Sequence, residues 1–158
     1  MRIWVINQSC RPENNAPANR FYGLGTQWIK LGAEVRLLTG IPHRPQGQLF
    51  PAYVNVDVTQ PEVLDGLTIW RHPEAISQRG SAVAEALKQL RFAKAVWANN
   101  RARGEADRPS VIIASSPDFF HTIAGWRLAR RYKVPFILEV RDLWPEIFKD
   151  MGVVKNPT

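Results

Sequence analysis

The sequence predicts an α/β fold built on a doubly wound, mostly parallel sheet. Short apolar runs alternate with longer segments of helical spacing, the order expected of repeated strand–helix–strand units. The apolar runs are continuous, which is typical of strands covered by helices on both faces. The length of 158 residues is the usual size of one domain with its own core.

The first strand–helix–strand unit is predicted within the first forty residues. Residues 3–7, IWVIN, form the first strand, and residues 34–39, EVRLLT, form the second. The intervening helix ends near Gly32, a residue suited to a helix stop. Its predicted core positions are Phe21, Leu24, Trp28 and Ile29.

A long loop and a third unit come next. Prolines and glycines recur between residues 40 and 60 and predict irregular, mostly exposed structure. Asp65 and Gly66 precede residues 67–71, LTIWR, the third predicted strand. A helix is predicted from about Ser81. The apolar residues that share one of its faces are Val83, Leu87, Leu90 and Trp97.

Two further strands complete the pattern. Residues 111–115, VIIAS, are a buried-type strand, and Ser116 with Pro117 and Asp118 marks the start of a helix. The core positions predicted for that helix are Phe120, Ile123, Ala124 and Leu128. Residues 136–140, FILEV, form the fifth predicted strand.

Composition excludes several classes of protein. Apolar residues are 45% and charged residues 22%, the balance of a globular protein rather than a disordered one. No apolar run is long enough to span a membrane, and the first residues lack the features of a secretion signal. Cys10 is the only cysteine, so an intramolecular disulfide is impossible and a reducing cytoplasm is expected. The three histidines lack the short spacing of a metal site, and no metal is predicted.

The net charge of +7 favours partners that carry phosphate or lie on anionic lipid. Ligands of doubly wound sheets bind beyond the carboxyl ends of the strands. The segments that follow the predicted strands are therefore the candidate site: residues 8–20, residues from 40 onward, residues 115–119 and residues 141–144.

Several segments resemble the bacterial family 4 glycosyltransferases. EVRDLWPE, residues 139–146, follows a buried strand and is similar to a signature of this family. VIIASSP at 111–117, the helix and strand entry at 124–136, and RFYGLGTQWIKLGAEVRLLTG at 20–40 are similar to family segments in the same order. DGLTIWRHP at 65–73 resembles the segment before a variable, often membrane-proximal helix. The resemblance is strongest to the branch acting in O-antigen, capsule or exopolysaccharide assembly, similar to fucosamine transferase-like and colanic-acid-type enzymes.

The resemblance implies one half of a GT-B architecture, in which two Rossmann-like domains face each other across a cleft. Residues 1–158 would be the N-terminal, acceptor-side domain, shortened at its end, and the C-terminal donor-binding domain would be absent. The implied activity is retaining transfer of a sugar from a nucleotide-sugar donor to a saccharide or polyprenyl-diphosphate-linked acceptor. This portion alone is expected to be inactive, and no tightly bound cofactor is implied.

The same resemblance suggests site residues. Asp142 is the first catalytic candidate, orienting the acceptor hydroxyl or the donor sugar, and Arg141 could offset charge on the leaving phosphate. Asp142 could instead cap the following helix. Arg20 could hold a phosphate bidentately or lie in solvent. The other substrate-binding candidates are Asn15, Ala16, Ser115, Ser116, Phe119 and Glu139. Capping, core packing or an orientation toward the other face of the sheet would explain them too.

The loop after the first strand departs from the family pattern. Relatives usually carry a glycine pair there, where backbone amides approach the donor phosphates, but this chain has Asn15, Ala16 and Pro17. Proline has no amide proton, and glycine's freedom at positive φ is lost. An amide cradle for phosphate is therefore expected to be weaker.

The helix after the third strand is basic as well as amphipathic. Cations beside an apolar stripe suit an anionic membrane surface, and ordinary core packing with a solvated rim is the alternative. Peripheral contact with the inner face of the cytoplasmic membrane is the corresponding expectation. The candidate membrane-contact residues are Lys88, Arg91, Lys94 and Trp97.

Two rival classes have weaker support. A dinucleotide-binding oxidoreductase needs glycines in the turn directly after the first strand, whereas Gly23 and Gly25 fall within the predicted helix. A nucleic-acid-binding protein would suit the charge, but the basic residues are spread over several elements without aromatic interleaving. No nucleic-acid partner is predicted. A stand-alone nucleotide- or anion-binding module without catalysis is a further alternative.

Overall fold

A computed structural model describes residues 1–44, 48–73, 82–116 and 119–141, apart from the side chains of Pro17 and Ala82. These residues form a six-stranded sheet with the order β3-β4-β2-β1-β5-β6. The strands are β1 (Arg2–Ile6), β2 (Glu34–Gly40), β3 (Glu62–Leu64), β4 (Leu67–His72), β5 (Val111–Ser115) and β6 (Phe136–Glu139). The helices are α1 (Ala16–Lys30), α2 (Ala82–Asn100) and α3 (Phe119–Tyr132).

The sheet is parallel except at one edge. The pairs β1–β2, β1–β5, β2–β4 and β5–β6 are parallel, and only β3 runs antiparallel to β4. β1 connects through α1 to β2 on one side, while β5, which follows α2, lies on the other side of β1. The direction of strand order therefore reverses between β1 and β5. The predicted doubly wound, Rossmann-like sheet is confirmed.

Helices cover both faces of the sheet, because the inner strands carry apolar side chains on both of those faces. One core contains Val5, Leu37 and Ile69, against which Phe21 of α1 packs. The other core lies beneath α2 and α3. Its fully buried members include Trp4, Ile6, Leu38, Phe92, Val96, Ile112 and Leu128.

The third and fourth strands form a short hairpin that the sequence does not predict. Asp65 and Gly66 have φ angles of 49° and 82°, so they form the tight turn between β3 and β4. From the sequence, these two residues predict only a break before a strand, and β3 is not predicted. The described strands therefore number six instead of five.

Two helix faces differ from the prediction. Val83 and Leu87 of α2 are 67% and 49% exposed, so the predicted stripe is not the core face. α2 instead buries Phe92, Ala93, Val96 and Asn100 against the sheet. Leu24 of α1 and Ile123 of α3 are also exposed, although the sequence placed them in the core. Gly23 and Gly25 lie inside α1, as predicted.

Candidate functional site

The carboxyl ends of β1, β2, β5 and β6 lie at one edge of the sheet, and α1 begins there. Asn15 caps this helix, because its side-chain oxygen accepts a hydrogen bond from the Ala18 amide at 2.8 Å. Ala16, the first helical residue, is exposed beside it. The helix start, with its positive dipole end, therefore faces the crevice at the point where the strand order reverses.

One group of side chains joins α1 to β5 and β6. Arg20 donates from Nε to Oε1 of Glu139 at 2.7 Å, and Ser115 donates from Oγ to Oε2 of the same carboxylate at 2.6 Å. Ser115 is buried, whereas the Arg20 side chain is half exposed. Glu139 thus points toward the carboxyl-end crevice, and its carboxylate is fixed from both sides. We call these three residues the Arg20–Glu139 cluster.

The segments after β5 and β6 are held together beside this cluster. Arg141 donates its backbone amide to Oγ of Ser116 at 2.7 Å, and the Ser116 amide donates to the Glu139 carbonyl at 2.9 Å. Phe119 begins α3 and is 69% exposed, so it is not a core residue. Asp142, the first catalytic candidate, lies outside the described residues.

A buried histidine supports the end of β5. His121 donates from Nε2 to the Ser115 carbonyl at 2.7 Å. Burial lowers its pKa to about 4, so the ring is neutral at pH 7. Its role in this geometry is to fix the backbone that carries Ser115.

A second group of side chains surrounds a cavity of about 350 Å³ beyond the carboxyl ends of β1 and β2. Glu13 is buried, and its Oε1 accepts the His43 backbone amide at 3.1 Å. Its Oε2 accepts from Nδ2 of Asn15 at 3.1 Å. Nζ of Lys88 lies 3.3 Å from Nε2 of His43. We call this space the β1–β2 cavity.

The position of Lys88 therefore differs from the membrane-facing position suggested by the sequence. It was a membrane-contact candidate, but its side chain is buried and directed to His43. Sequence reasoning did not name Glu13 or His43 as site residues. The available signal was their position, since both lie in segments that follow a predicted strand.

A surface of apolar and basic side chains lies on the outside of α2 and α3, and we call it the α2–α3 face. Trp97, Ile123 and Arg127 line a groove of about 220 Å³ between them. Arg127 lies over the Trp97 ring at 4.9 Å, and Arg130 lies over the Trp126 ring at 5.2 Å. The exposed residues that define this face are Val83, Leu87, Leu90, Arg91, Lys94, Ile123, Trp126, Arg127, Arg130 and Arg131.

Neither a metal cluster nor a membrane span is found in the described part of the chain. Among residues 1–44, 48–73, 82–116 and 119–141, no three histidine, cysteine, aspartate or glutamate side chains group as ligands. Within the same ranges, no helix is both long and apolar enough to cross a bilayer.

Comparison with known proteins identifies the family to which the chain belongs. Residues 15–155 match the glycosyl transferase 4-like domain, which is most of the chain. The chain therefore belongs to the glycosyl transferase 4-like domain family, and the fold is that of a Rossmann-like half of a GT-B glycosyltransferase. No curated protein matches the sequence.

Solved structures agree on the fold. The glycotransferase of kitacinnamycin superposes with a TM-score of 0.57 at 17% identity, covering 96% of this chain and 33% of that one. The C-terminal domain of a hydrogenase from Pyrococcus furiosus superposes with a TM-score of 0.56 at 11% identity, covering 87% of this chain and 90% of that domain. At these identities the likeness concerns the fold alone. This chain spans about a third of the glycotransferase.

Proposed function

We propose that this chain is the acceptor-side part of a retaining glycosyltransferase. It would transfer a sugar from a nucleotide-sugar donor to a lipid-linked saccharide in cell-surface polysaccharide synthesis. The observation that carries the proposal is the Arg20–Glu139 cluster. Three side chains from separate segments, all in or beside the family-like motifs, converge at the crevice where a doubly wound sheet binds ligands.

The proposed reaction exchanges one bond at the anomeric carbon for another. The oxygen of the acceptor hydroxyl bonds to that carbon while the carbon–oxygen bond to the nucleotide diphosphate breaks on the same face. The hydroxyl proton passes to the departing diphosphate oxygen. Catalysis then rests on positioning the hydroxyl and on stabilising charge on the diphosphate.

Each side chain at the crevice has a distinct proposed role. Arg20, with half of its side chain exposed, presents a cation to the diphosphate. Glu139 holds that guanidinium in place and is itself held by Ser115. Arg141 adds a second cation, and Asp142 orients the acceptor hydroxyl. Most contacts to the donor are assigned to a second domain, outside residues 1–158.

The test is a transfer assay on the whole protein that the gene encodes, read beyond the codon for Thr158. Sugar nucleotides and a polyprenyl-diphosphate-linked saccharide are the substrates, and the radiolabelled product is measured. We expect Glu139→Gln to lower kcat/KM roughly 10- to 100-fold, because the loss of its charge frees Arg20 from its fixed position. Asp142→Ala is expected to lower it by about 100-fold.

The matched control is Glu34→Gln, which removes an exposed carboxylate at the opposite edge of the sheet. Its activity should equal that of the wild type. A reading frame that stops at Thr158 with no partner chain encoded nearby would contradict the enzyme proposal. It would favour the alternative, an anion-binding module without catalysis.

We further propose that the α2–α3 face rests on anionic lipid and so brings the crevice to a membrane-bound acceptor. Support comes from the combination of exposed apolar side chains with five cations, Arg91, Lys94, Arg127, Arg130 and Arg131, on one face. Trp126 and Trp97 lie among these cations, as aromatic rings do at membrane interfaces. Lys88 is left out of this surface because it is buried.

Sedimentation with vesicles tests the lipid surface. Binding to vesicles with 30% phosphatidylglycerol should exceed binding to pure phosphatidylcholine at least tenfold, because each cation near an anionic surface contributes about 1 kcal/mol. Trp126→Ala with Arg130→Gln should reduce binding to anionic vesicles at least fivefold. Lys30→Gln, which removes an exposed cation in the last turn of α1 on the other face of the sheet, is the control. Equal loss in both variants would show general charge attraction and overturn the assigned face.

A further inference from the structure

Three buried nitrogens without a hydrogen-bond partner lie together on the α2–α3 side of the sheet. Among the described residues, Nε1 of Trp4, Nε1 of Trp70 and Nη1 of Arg36 are buried and reach no acceptor. Buried N–H groups almost always have an acceptor, because leaving one unpaired destabilises the fold. We infer that these three nitrogens form a binding site for a monovalent anion of the size of chloride. This inference does not depend on the proposed function.

The register of the sheet brings the three side chains together. Trp4 of β1 pairs with Arg36 of β2. Trp70 of β4 pairs with Leu38, which is two residues after Arg36 and therefore on the same face. The guanidinium carbon of Arg36 lies 5.0 Å from the centre of the Trp4 ring and 5.7 Å from that of the Trp70 ring. We call these three residues the Trp4–Arg36–Trp70 cluster.

The charges around this cluster favour an anion. Arg36 donates to Oδ1 of Asp107 at 2.8 Å, and Oδ2 of the same carboxylate lies 3.7 Å from Nη1 of Arg103. The Arg103 guanidinium lies over the Trp70 ring at 3.8 Å. Two guanidinium groups therefore share one carboxylate, which leaves one positive charge in excess. Burial and, after it, the charge of Arg36 lower the pKa of Arg103, as expected where positive charge is incompletely balanced.

The chemistry of the three nitrogens favours an anion over a water molecule. An indole N–H and a guanidinium N–H can donate a hydrogen bond but cannot accept one. A water molecule that accepted from them would bring two hydrogens of its own, and these would need acceptors. The nearby hydroxyl of Tyr132, whose ring meets Trp4 edge to face, already donates to the Asn100 carbonyl. A halide accepts from several N–H groups and donates to none.

The burial of the cluster defines the role of the anion and its charge. Trp4 is fully buried and Arg36 is 9% exposed, so the ion would be enclosed in the core beneath α2 and α3. An excess of one positive charge matches a monovalent ion, whereas a divalent phosphate would bring an uncompensated negative charge into the core. The anion would therefore be a structural ligand, and its binding would stabilise the folded state.

Nitrogen-15 NMR of the 158-residue chain tests the inference on the unaltered sequence. Sodium gluconate is exchanged stepwise for sodium chloride at constant ionic strength, so that only the anion changes. The indole N–H signals of Trp4 and Trp70 should shift in a saturable way, with one shared dissociation constant. The indole signal of Trp28, which packs on the opposite face of the sheet, is the reference and should stay in place. Trp4 and Trp70 signals that do not respond to chloride would refute the site.

Tryptophan-to-phenylalanine variants remove one donor each and keep an aromatic ring. The thermal midpoint of the wild type should be about 3 °C higher in chloride than in gluconate at about 200 mM, because the ligand binds only the folded state. In Trp4→Phe and Trp70→Phe this difference should fall below about 1 °C. Trp28→Phe is the matched control and should keep the full difference. Each difference is taken between two salts within one variant, which separates it from any loss of packing. Equal responses in all three variants would show a general salt effect and contradict the inference.

Bromide can locate the ion directly. It has the charge of chloride and nearly its size, and its anomalous scattering marks its position in a crystal. We expect an anomalous peak within hydrogen-bond distance of Nε1 of Trp4, Nε1 of Trp70 and Nη1 of Arg36. Peaks only at the exposed cations of the α2–α3 face, or an ordered water at the cluster in the presence of bromide, would overturn the inference.

Discussion

Lowering the pH from 7 to 4 is expected to remove on the order of 6 kcal/mol from the free energy of unfolding, because two buried histidines must be neutral in the folded state. Burial lowers the pKa of His72 and of His121 from 6.5 to about 4. A histidine whose pKa is lower in the folded state binds its proton more readily in the unfolded state, so protonation below pH 6.5 favours unfolding. The free energy of unfolding therefore falls progressively between pH 6.5 and 4, by on the order of 3 kcal/mol per ring.

The contacts of His72 explain why it cannot accept a second proton easily. Nδ1 lies 3.0 Å from the Trp70 carbonyl and donates there, while Nε2 faces Nδ2 of Asn100 at 3.0 Å. The amide of Asn100 is fixed, since Nδ2 also donates to the Val96 carbonyl and its oxygen accepts from Arg103. A proton on Nε2 would therefore face the Asn100 amide donor in a buried site, close to the positive charge of Arg103.

Urea unfolding followed by circular dichroism at several pH values measures this effect. The free energy of unfolding should fall between pH 6.5 and 4, with a slope that corresponds to the uptake of nearly two protons on unfolding. In His121→Phe the slope should fall to about one proton, although stability at pH 7 also drops because the bond to the Ser115 carbonyl is lost. A free energy that stays constant from pH 7 to 4 would contradict the neutral assignment of both rings.

Glu62→Gln is expected to destabilise the protein by about 3 kcal/mol, because it leaves the Arg71 guanidinium buried without its counter-charge. The Arg71 side chain is only 1% exposed. Its Nε and Nη2 lie 3.1 and 2.8 Å from Oε2 of Glu62. Nη2 also donates to the Arg11 carbonyl at 2.6 Å. The pair therefore ties β3 and β4 to the loop that carries Glu13.

Thermal and urea unfolding of matched variants check this prediction. Glu34→Gln removes the partner of Arg2 in a pair whose carboxylate is 69% exposed, and it should cost less than about 1 kcal/mol. The double variant Arg71→Met, Glu62→Leu should recover much of the loss, since no charge then remains buried. If Glu62→Gln and Glu34→Gln lower the free energy of unfolding by similar amounts, the burial of Arg71 does not determine the contribution of the Arg71–Glu62 pair.

Much of the fold is accessible from sequence because buried parallel strands leave a strong local signal. The runs IWVIN, VIIAS and FILEV match β1, β5 and β6 to within a residue. β3 was missed because EVL is three residues long and pairs only through the turn at Asp65 and Gly66. Its pairing is a property of the hairpin rather than of the segment.

The face of α2 was assigned wrongly because that helix has two apolar sides. Val83, Leu87 and Leu90 follow helical spacing as well as Phe92, Ala93 and Val96 do, so periodicity alone could not decide which side covers the sheet. The choice depends on packing against the sheet and α3, whose residues are distant in sequence. Lys88 is misplaced for the same reason, since its neighbour His43 is 45 positions away in sequence.

The candidate site was predictable as a set of segments but not as a set of contacts. The family-like motifs indicated Arg20, Ser115 and Glu139, and the structure brings these three together. Arg20 and Glu139 are 119 positions apart, so their contact depends on the strand order. Glu13 and His43 belong to no motif, and only the cavity reveals them.

Few residues can replace Asn15, because its side chain makes two different hydrogen bonds. Aspartate, serine and threonine cap helices about as well as asparagine does. Aspartate cannot also donate to Glu13, and it would place a second carboxylate about where Nδ2 now lies, 3.1 Å from Glu13. Serine or threonine would have to make both bonds with a single hydroxyl, whereas asparagine has a separate acceptor and donor. Asparagine satisfies both the helix and the carboxylate. A substitution at this position therefore changes both the stability of α1 and the position of the Glu13 carboxylate in the cavity.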